Sequence, residues 1–254
     1  MAGPAAMWDS PGHAYEEISA HLADAIDHAV NRLAPRSGER VLDVGTGTGW
    51  AARRIAARGA SVVGIDLGAS LIEAAKVSSP GTDFRVADAE KLPFEDASFD
   101  AVVSTFGVMF VSRPEAAASE IARVCRRGGR VALASWTPTS TVAQKFEMTK
   151  PFTTPSSGPS PFEWGKPERV RELLGSGFDL RFETGVTVLR LSSGEEAWDL
   201  FRRGYGPTKT LVESLGTQRG EAYRREFVAF YERFRTELGV AVPREYLVAV
   251  GVRR

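Results

Sequence analysis

VLDVGTGTGW, residues 41–50, is an apolar run that leads directly into three glycines, Gly45, Gly47 and Gly49, and then into helix-forming sequence. Glycine at these points admits positive φ and lets a ligand approach bare backbone. The helix that follows opens with amide donors that have no intrahelical partner. A strand, a glycine turn and a helix in this order form the start of a βαβ unit. Such units take ligands at the carboxyl end of the strand.

The same pattern continues on the C-terminal side. ASVVGID (60–66), TDFRVAD (82–88), FDAVVSTF (99–106) and GRVALASW (129–136) are short runs, nearly continuous in apolar character, as strands buried on both faces should be. Helical spacing at about 49–58, 68–77 and 114–126 alternates with them and predicts an α/β doubly wound sheet. On the N-terminal side, residues 14–34 read as one amphipathic helix, with Ile18, Leu22, Ile26 and Leu33 on one face and Pro35 as its stop.

Beyond the fifth strand the pattern breaks. Residues 137–165 hold five of the fourteen prolines and no sustained period, which reads as a long functional loop. A short helix at 166–178 and a strand at 178–191 follow. Residues 193–240 read as helices, the last carrying Tyr223, Phe227, Phe230, Tyr231, Phe234 and Leu238 on one face, for which core packing is the ordinary explanation. EYLVAVGVRR closes the chain as a strand. The expected organisation is an N-terminal lid and helix (1–37), a core (38–192 and 241–254) and a helical cap (193–240) inserted before the last strand.

With 254 residues, 43% hydrophobic and 25% charged, the composition is that of an ordinary globular protein, not of a disordered or disulfide-scaffold chain. Thirty-two basic residues balance thirty-two acidic ones, so no global charge draws the chain to nucleic acid. No apolar run is long enough for a membrane span and the first residues lack a signal-peptide pattern, so a cytoplasmic location is expected. One cysteine, Cys125, and three histidines argue against a disulfide or a Cys/His metal centre.

Three acids, Asp43, Asp66 and Asp88, fall at or near the carboxyl ends of adjacent predicted strands. Asp66, ending the second, is placed to accept hydrogen bonds from a ribose diol. Two cofactor classes fit a ribose-binding acid after a glycine turn. Dinucleotide enzymes normally show G-x-G-x-x-G around a pyrophosphate; this chain has G-x-G-x-G preceded by Asp43, whose negative charge suits a cationic ligand better than a phosphate.

At these residues the sequence resembles the class I S-adenosylmethionine-dependent methyltransferases, in the small-molecule branch near the ubiquinone and menaquinone C-methyltransferases. VLDVGTGTG is similar to their first motif, VVGIDLGASLIEAAK (62–76) to the second, and RVADAEKLPFEDASFDAVVSTFGVMF (85–110) with RRGGRVALASW (126–136) to the remainder. The resemblance implies a seven-stranded sheet of order 3-2-1-4-5-7-6 with the last strand antiparallel. It implies S-adenosylmethionine as cofactor, held by Asp43, Gly45, Thr46, Gly47, Gly49, Asp66, Leu67, Asp88, Ala89 and Thr105. Phe106 and Met109 would meet the substrate, and His13 and Tyr15, in a segment that folds as a lid in related enzymes, are the candidate proton acceptors. Trp50, just after the glycines, departs from the small or aliphatic residue expected there.

The expected reaction is metal-independent, in-line methyl transfer to a small molecule, with no nucleic-acid or membrane partner. The alternatives are a noncatalytic S-adenosylmethionine-binding module and, further off, an NAD-dependent oxidoreductase. Residues 1–15 and 137–165 are expected to be mobile without ligand, and neither the acceptor nor the oligomeric state is legible.

Overall fold

A computed structural model describes residues 4–154 and 158–254. Residues 1–3 and 155–157, which belong to the two segments expected to be mobile, lie outside the described residues. The strands are β1 (Arg40–Val44), β2 (Ser61–Asp66), β3 (Asp83–Val86), β4 (Phe99–Thr105), β5 (Cys125–Trp136), β6 (Phe178–Leu191), a two-residue β7 (Arg235–Thr236) and β8 (Gly239–Arg253). They form one sheet of order β3-β2-β1-β4-β5-β8-β6, with β7 a short arm on β8. Without that arm the long strands run 3-2-1-4-5-7-6, as the resemblance implied. The five strands β1 to β5 are mutually parallel, and the last strand lies antiparallel between β5 and β6.

Helices α1 (Pro4–Asp9), α2 (Tyr15–Ala20) and α3 (Ala23–Leu33) precede the sheet; α4 (Trp50–Ala56), α5 (Ala69–Ser78) and α6 (Pro114–Val124) connect its parallel strands. They are followed by α7 (Thr141–Thr149), α8 (Pro167–Leu174), α9 (Gly194–Gly204), α10 (Gly206–Ser214) and α11 (Thr217–Glu232). The central strands read as apolar because both faces are covered: Val41, Leu42, Ala101, Val102, Val103 and Ala132 are fully buried. Around the sheet lies the main core, to which α3 contributes Ala25, Ile26, Ala29, Val30 and Leu33. A second cluster, built from α9, α11, Ile18 and the near ends of β6 and β8, holds Trp198, Phe201, Tyr223, Phe227 and Tyr231.

Several boundaries differ from the sequence expectation, each for a local reason. The helix predicted at 14–34 is two helices, because the chain leaves helical geometry at Leu22 (φ −113°, ψ 3°); α2 packs with α9 while α3 packs on the sheet. The stretch 137–165 is not all loop. Ser140 caps α7 by accepting from the Val142 amide at 3.3 Å, and Ser160 opens a 3₁₀ turn at Pro161–Gly165. The third strand stops at Val86, so Asp88 stands two residues beyond it. The aromatic stripe ends with α11 at Glu232, and Leu238, read as part of it, is 97% exposed at the turn into β8. At α9, Ser193 Oγ caps the helix by accepting from the Glu196 amide at 3.1 Å, and Glu196 reaches back to the Ser192 amide, one residue before the cap.

Candidate active site

The turn after β1 is fixed from below by Asp43. Its Oδ2 accepts from Thr46 Oγ1 at 2.7 Å and from the Ala52 amide at 3.1 Å, tying strand end, turn and first turn of α4 together. Asp43 has no solvent exposure, and Oδ1 has no hydrogen-bond partner among the described residues. Burial pushes its carboxyl up to about 7, against the opposing effect of the Thr46 and Ala52 bonds. Such a group is one that a nearby cation stabilises.

The turn itself is bare backbone. Gly45 sits at φ 68°, and a β-carbon on it would lie 2.7 Å from the Cα of Gly107, so the loop after β1 and the loop after β4 touch main chain to main chain. Ser104 Oγ holds them together, donating to the Val44 carbonyl at 2.6 Å and accepting from the Val108 amide at 2.9 Å.

On the far side, Asp66 ends β2. Oδ2 accepts from the Gly47 amide at 2.9 Å and Oδ1 from the Gly68 amide at 3.0 Å. Each oxygen keeps a further lone pair, which is the acceptor pair a vicinal diol requires. Burial raises the Asp66 carboxyl, opposed by the amide bonds from Gly68 and Gly47. Next along the edge, Asp88 Oδ1 accepts from the Glu90 amide at 2.8 Å. Glu90 in turn receives the amides of Ser112 and Arg113 at 2.6 and 2.9 Å and so closes the rim.

These elements surround a cleft of about 330 Å³, within the range of roughly 300–1,000 Å³ for small-molecule sites. Gly45, Thr46 and Gly47 form its floor, with Asp66, Leu67, Asp88 and Ala89 along one wall and Thr105 and Phe106 at the end of β4. Phe106 holds φ 60°, an uncommon conformation for a non-glycine residue, and its ring stacks on Trp136 with centroids 4.0 Å apart and an interplanar angle of 22°. The N-terminal segment roofs the cleft. Trp8 packs on Phe110 (4.8 Å) and on Tyr205 (5.8 Å), Asp9 Oδ1 accepts from the Ser70 amide at 2.6 Å, and Glu16 pairs with Arg53 at 2.9 Å.

Not every expected residue is in the cleft. Met109 is buried in the main core, because the 3₁₀ turn Val108–Phe110 aims it inward and leaves Phe110 and Val111 in the lining. Gly49 faces Phe84, and Asp43 stands beneath the turn without lining the cleft. His13 is exposed and outside the lining, whereas Tyr15 is in it. Burial and the charge of Asp66 hold the Tyr15 phenol well above its ordinary range, so it is neutral and a hydrogen-bond donor at physiological pH. Trp8, Trp50, Leu22 and Phe110 were not among the expected site residues and line the cleft. Among the described residues no group of three His, Cys, Asp or Glu is placed to hold a metal ion, and no helix is long and apolar enough to cross a membrane.

An α/β sheet with a glycine turn, an acid at the end of the second strand and an acid after the third defines a nucleoside-binding site at the carboxyl edge. Residues 42–133 match the family described as methyltransferase domain. An uncharacterized protein of Mycobacterium tuberculosis is 36% identical over 208 residues, covering 79% of this chain and 75% of the relative. A demethylmenaquinone methyltransferase of Clavibacter sepedonicus is 34% identical over 161 residues, 59% of this chain and 66% of that protein. A phosphoethanolamine N-methyltransferase of Haemonchus contortus, solved with phosphomonomethylethanolamine and S-adenosylhomocysteine, shares the fold with a TM-score of 0.55 at 19% identity, covering 90% of this chain and 52% of that one. Residues 42–133 are thus a methyltransferase domain, and S-adenosylmethionine, the methyl donor of that family, is its cofactor. The site suits that cofactor: an unpartnered buried carboxylate oxygen beneath a backbone cradle matches a cationic amino acid, and Asp66 matches a ribose.

Proposed function

We propose that the protein transfers the methyl group of S-adenosylmethionine to a small molecule by metal-independent in-line displacement. Asp66 accepts from the ribose hydroxyls, Leu67 flanks the adenine, Asp88 accepts from its amino group, and the backbone of Ala89 meets a ring nitrogen. The Gly45–Gly47 turn meets the methionine portion, with the charge of Asp43 directly behind it. Thr105 and Phe106 border the path to the acceptor. Held there, S-adenosylmethionine would supply an activated methyl group with a neutral thioether as its leaving group.

What the chain contributes is orientation and exclusion of water, which together supply much of the rate when the leaving group is already activated. The single observation that carries the small-molecule reading is the roof. Trp8, Tyr15 and Phe110 close the cleft from the side a macromolecular acceptor would have to enter. The helices of residues 193–240 act as a cap in this reading, with Tyr205 receiving Trp8. Methyl-labelled S-adenosylmethionine, incubated with the protein and a whole-cell extract, tests it. Label is expected in an extractable low-molecular-mass product; label confined to protein or nucleic acid overturns the proposal.

A further inference from the structure

Behind the wall formed by Tyr15, Leu22, Phe106 and Phe110 lies a second, smaller cavity of about 50 Å³, which shares those four residues with the cofactor cleft. Its other walls are mainly aromatic: Trp136 from the end of β5, Phe201 from α9, Tyr205 between α9 and α10, and Phe230 and Tyr231 from α11. Two cations face it. Lys145 of α7 is 5% exposed and Arg244 of β8 is 6% exposed.

Neither cation forms an ion pair with a described residue; Asp24 acts on Arg244 only through space, its Oδ1 accepting from Thr187 Oγ1 at 2.6 Å. Lys145 Nζ makes no hydrogen bond to any described residue and lies over the rings of Tyr205 (4.3 Å) and Phe201 (4.6 Å). Arg244 donates from one terminal nitrogen to the His21 carbonyl, its guanidinium lies 5.6 Å from the Trp136 ring, and its Nε has no partner. No carboxylate is among the described residues that line the cavity. A desolvated cation–π contact contributes about 2 kcal/mol, whereas burying one charge costs several kcal/mol even after relaxation. The two like charges also act on each other: burial, then Arg244, brings the Lys145 ammonium down to about 7, and burial brings Arg244 down to about 10. The neighbouring phenols are no rival anions, since burial holds both Tyr205 and Tyr231 far above their ordinary range. The missing component is a negative charge.

We propose that this chamber binds the acidic group of the methyl acceptor, so that the substrate is an anion, a carboxylate or phenolate, on a flat apolar or aromatic frame. Lys145 and Arg244 hold the acidic group, the phenols of Tyr205 and Tyr231 donate to it, and the frame runs out of the chamber along Phe106. A space of about 50 Å³ admits an acidic group and little more, since one water needs roughly 10–15 Å³ by the same measure. The reacting end therefore extends past Phe106 into the cofactor cleft. The assignment rests on the methyltransferase reading for its direction, because it treats the cleft as the methyl donor's side.

The test uses benzoate, its neutral isostere benzamide and the cation benzylamine as probes, titrated into the protein saturated with S-adenosylhomocysteine. Benzoate is expected to bind at least tenfold more tightly than benzamide, and benzylamine not to bind. Lys145→Met is expected to abolish the preference for benzoate while S-adenosylhomocysteine still binds. Melting of the free proteins gives a second readout: Lys145→Met removes a cation without a counter-charge and should melt higher than the wild type, where a merely structural lysine would make it melt lower. Equal binding of benzoate and benzamide, no benzoate binding, or an unchanged preference in Lys145→Met overturns the proposal. If S-adenosylhomocysteine itself fails to bind, it is the methyltransferase reading that fails, and the titration separates the two.

Discussion

The ring of Tyr15 lies across Gly47: a β-carbon on the glycine would stand 3.4 Å from Tyr15 Cε1. A residue that opens α2 therefore covers the middle glycine of the cofactor turn, and the same ring forms part of the wall of the aromatic chamber. The N-terminal segment is in this way a closing element for both cavities, which a bound cofactor would meet from below.

Because the roof is held by a few contacts such as Trp8 on Phe110 and Glu16 with Arg53, it should open and close as a unit. Hydrogen exchange at residues 4–20 is expected to slow when S-adenosylhomocysteine is added, and Trp8→Ala to lessen that slowing. Equal protection with and without ligand would contradict a lid.

At Gly45 the main-chain contact with Gly107 and the positive φ both oppose any side chain. Gly45→Ala is expected to cost about 2–5 kcal/mol, combining left-handed strain with overpacking. Gly38 has φ 82° but nothing within 4 Å of a β-carbon, so Gly38→Ala should cost only about 1–2 kcal/mol of strain. Denaturant titration of the two variants checks the difference.

Asp43 makes stability depend on pH in a definite direction. Its carboxyl rises from 3.8 to about 7 on folding, so the native state holds a proton that the unfolded chain has released. The contribution is fully present below pH 3.8 and is lost as pH rises to about 7. Asp66 is raised too and acts in the same sense, so the comparison is with Asp43→Asn. Chemical denaturation of the variant across that window should show a flatter pH dependence than the wild type; parallel curves would contradict the placement of the proton.

Catalysis should not need a metal. The segments after β4 and β5, STFGVMFVSR (104–113) and SWTPTST (135–141), carry hydroxyls but no carboxylate or amide with which to hold a divalent ion against substrate oxygens. Turnover with a known acceptor in excess chelator should equal turnover with magnesium, and a loss restored by added metal would contradict this.

The sheet and cofactor cleft were legible in sequence because their signals are local. Gly45, Asp66 and Asp88 lie at or just beyond strand ends, and strand ends are marked by where the apolar runs stop. Met109 and Phe110 were exchanged because a single 3₁₀ turn decides which faces the cleft. The chamber was not legible at all. Lys145 lies in a stretch that reads as a proline-rich loop, and Arg244 looks like any charged residue beside a strand. Their burial comes from α9 and α11 closing over β8, a tertiary event with no periodic signature.

The most direct measurement is a calorimetric titration of S-adenosylhomocysteine and of NAD into the wild type and Asp66→Ala. The wild type is expected to bind S-adenosylhomocysteine at one site and NAD not at all. Loss of the charge-assisted ribose contact in the variant should weaken binding by about 1.5–3 kcal/mol, roughly 10- to 150-fold. Binding of NAD in place of S-adenosylhomocysteine, or an unchanged affinity in Asp66→Ala, would contradict the assignment of the cleft.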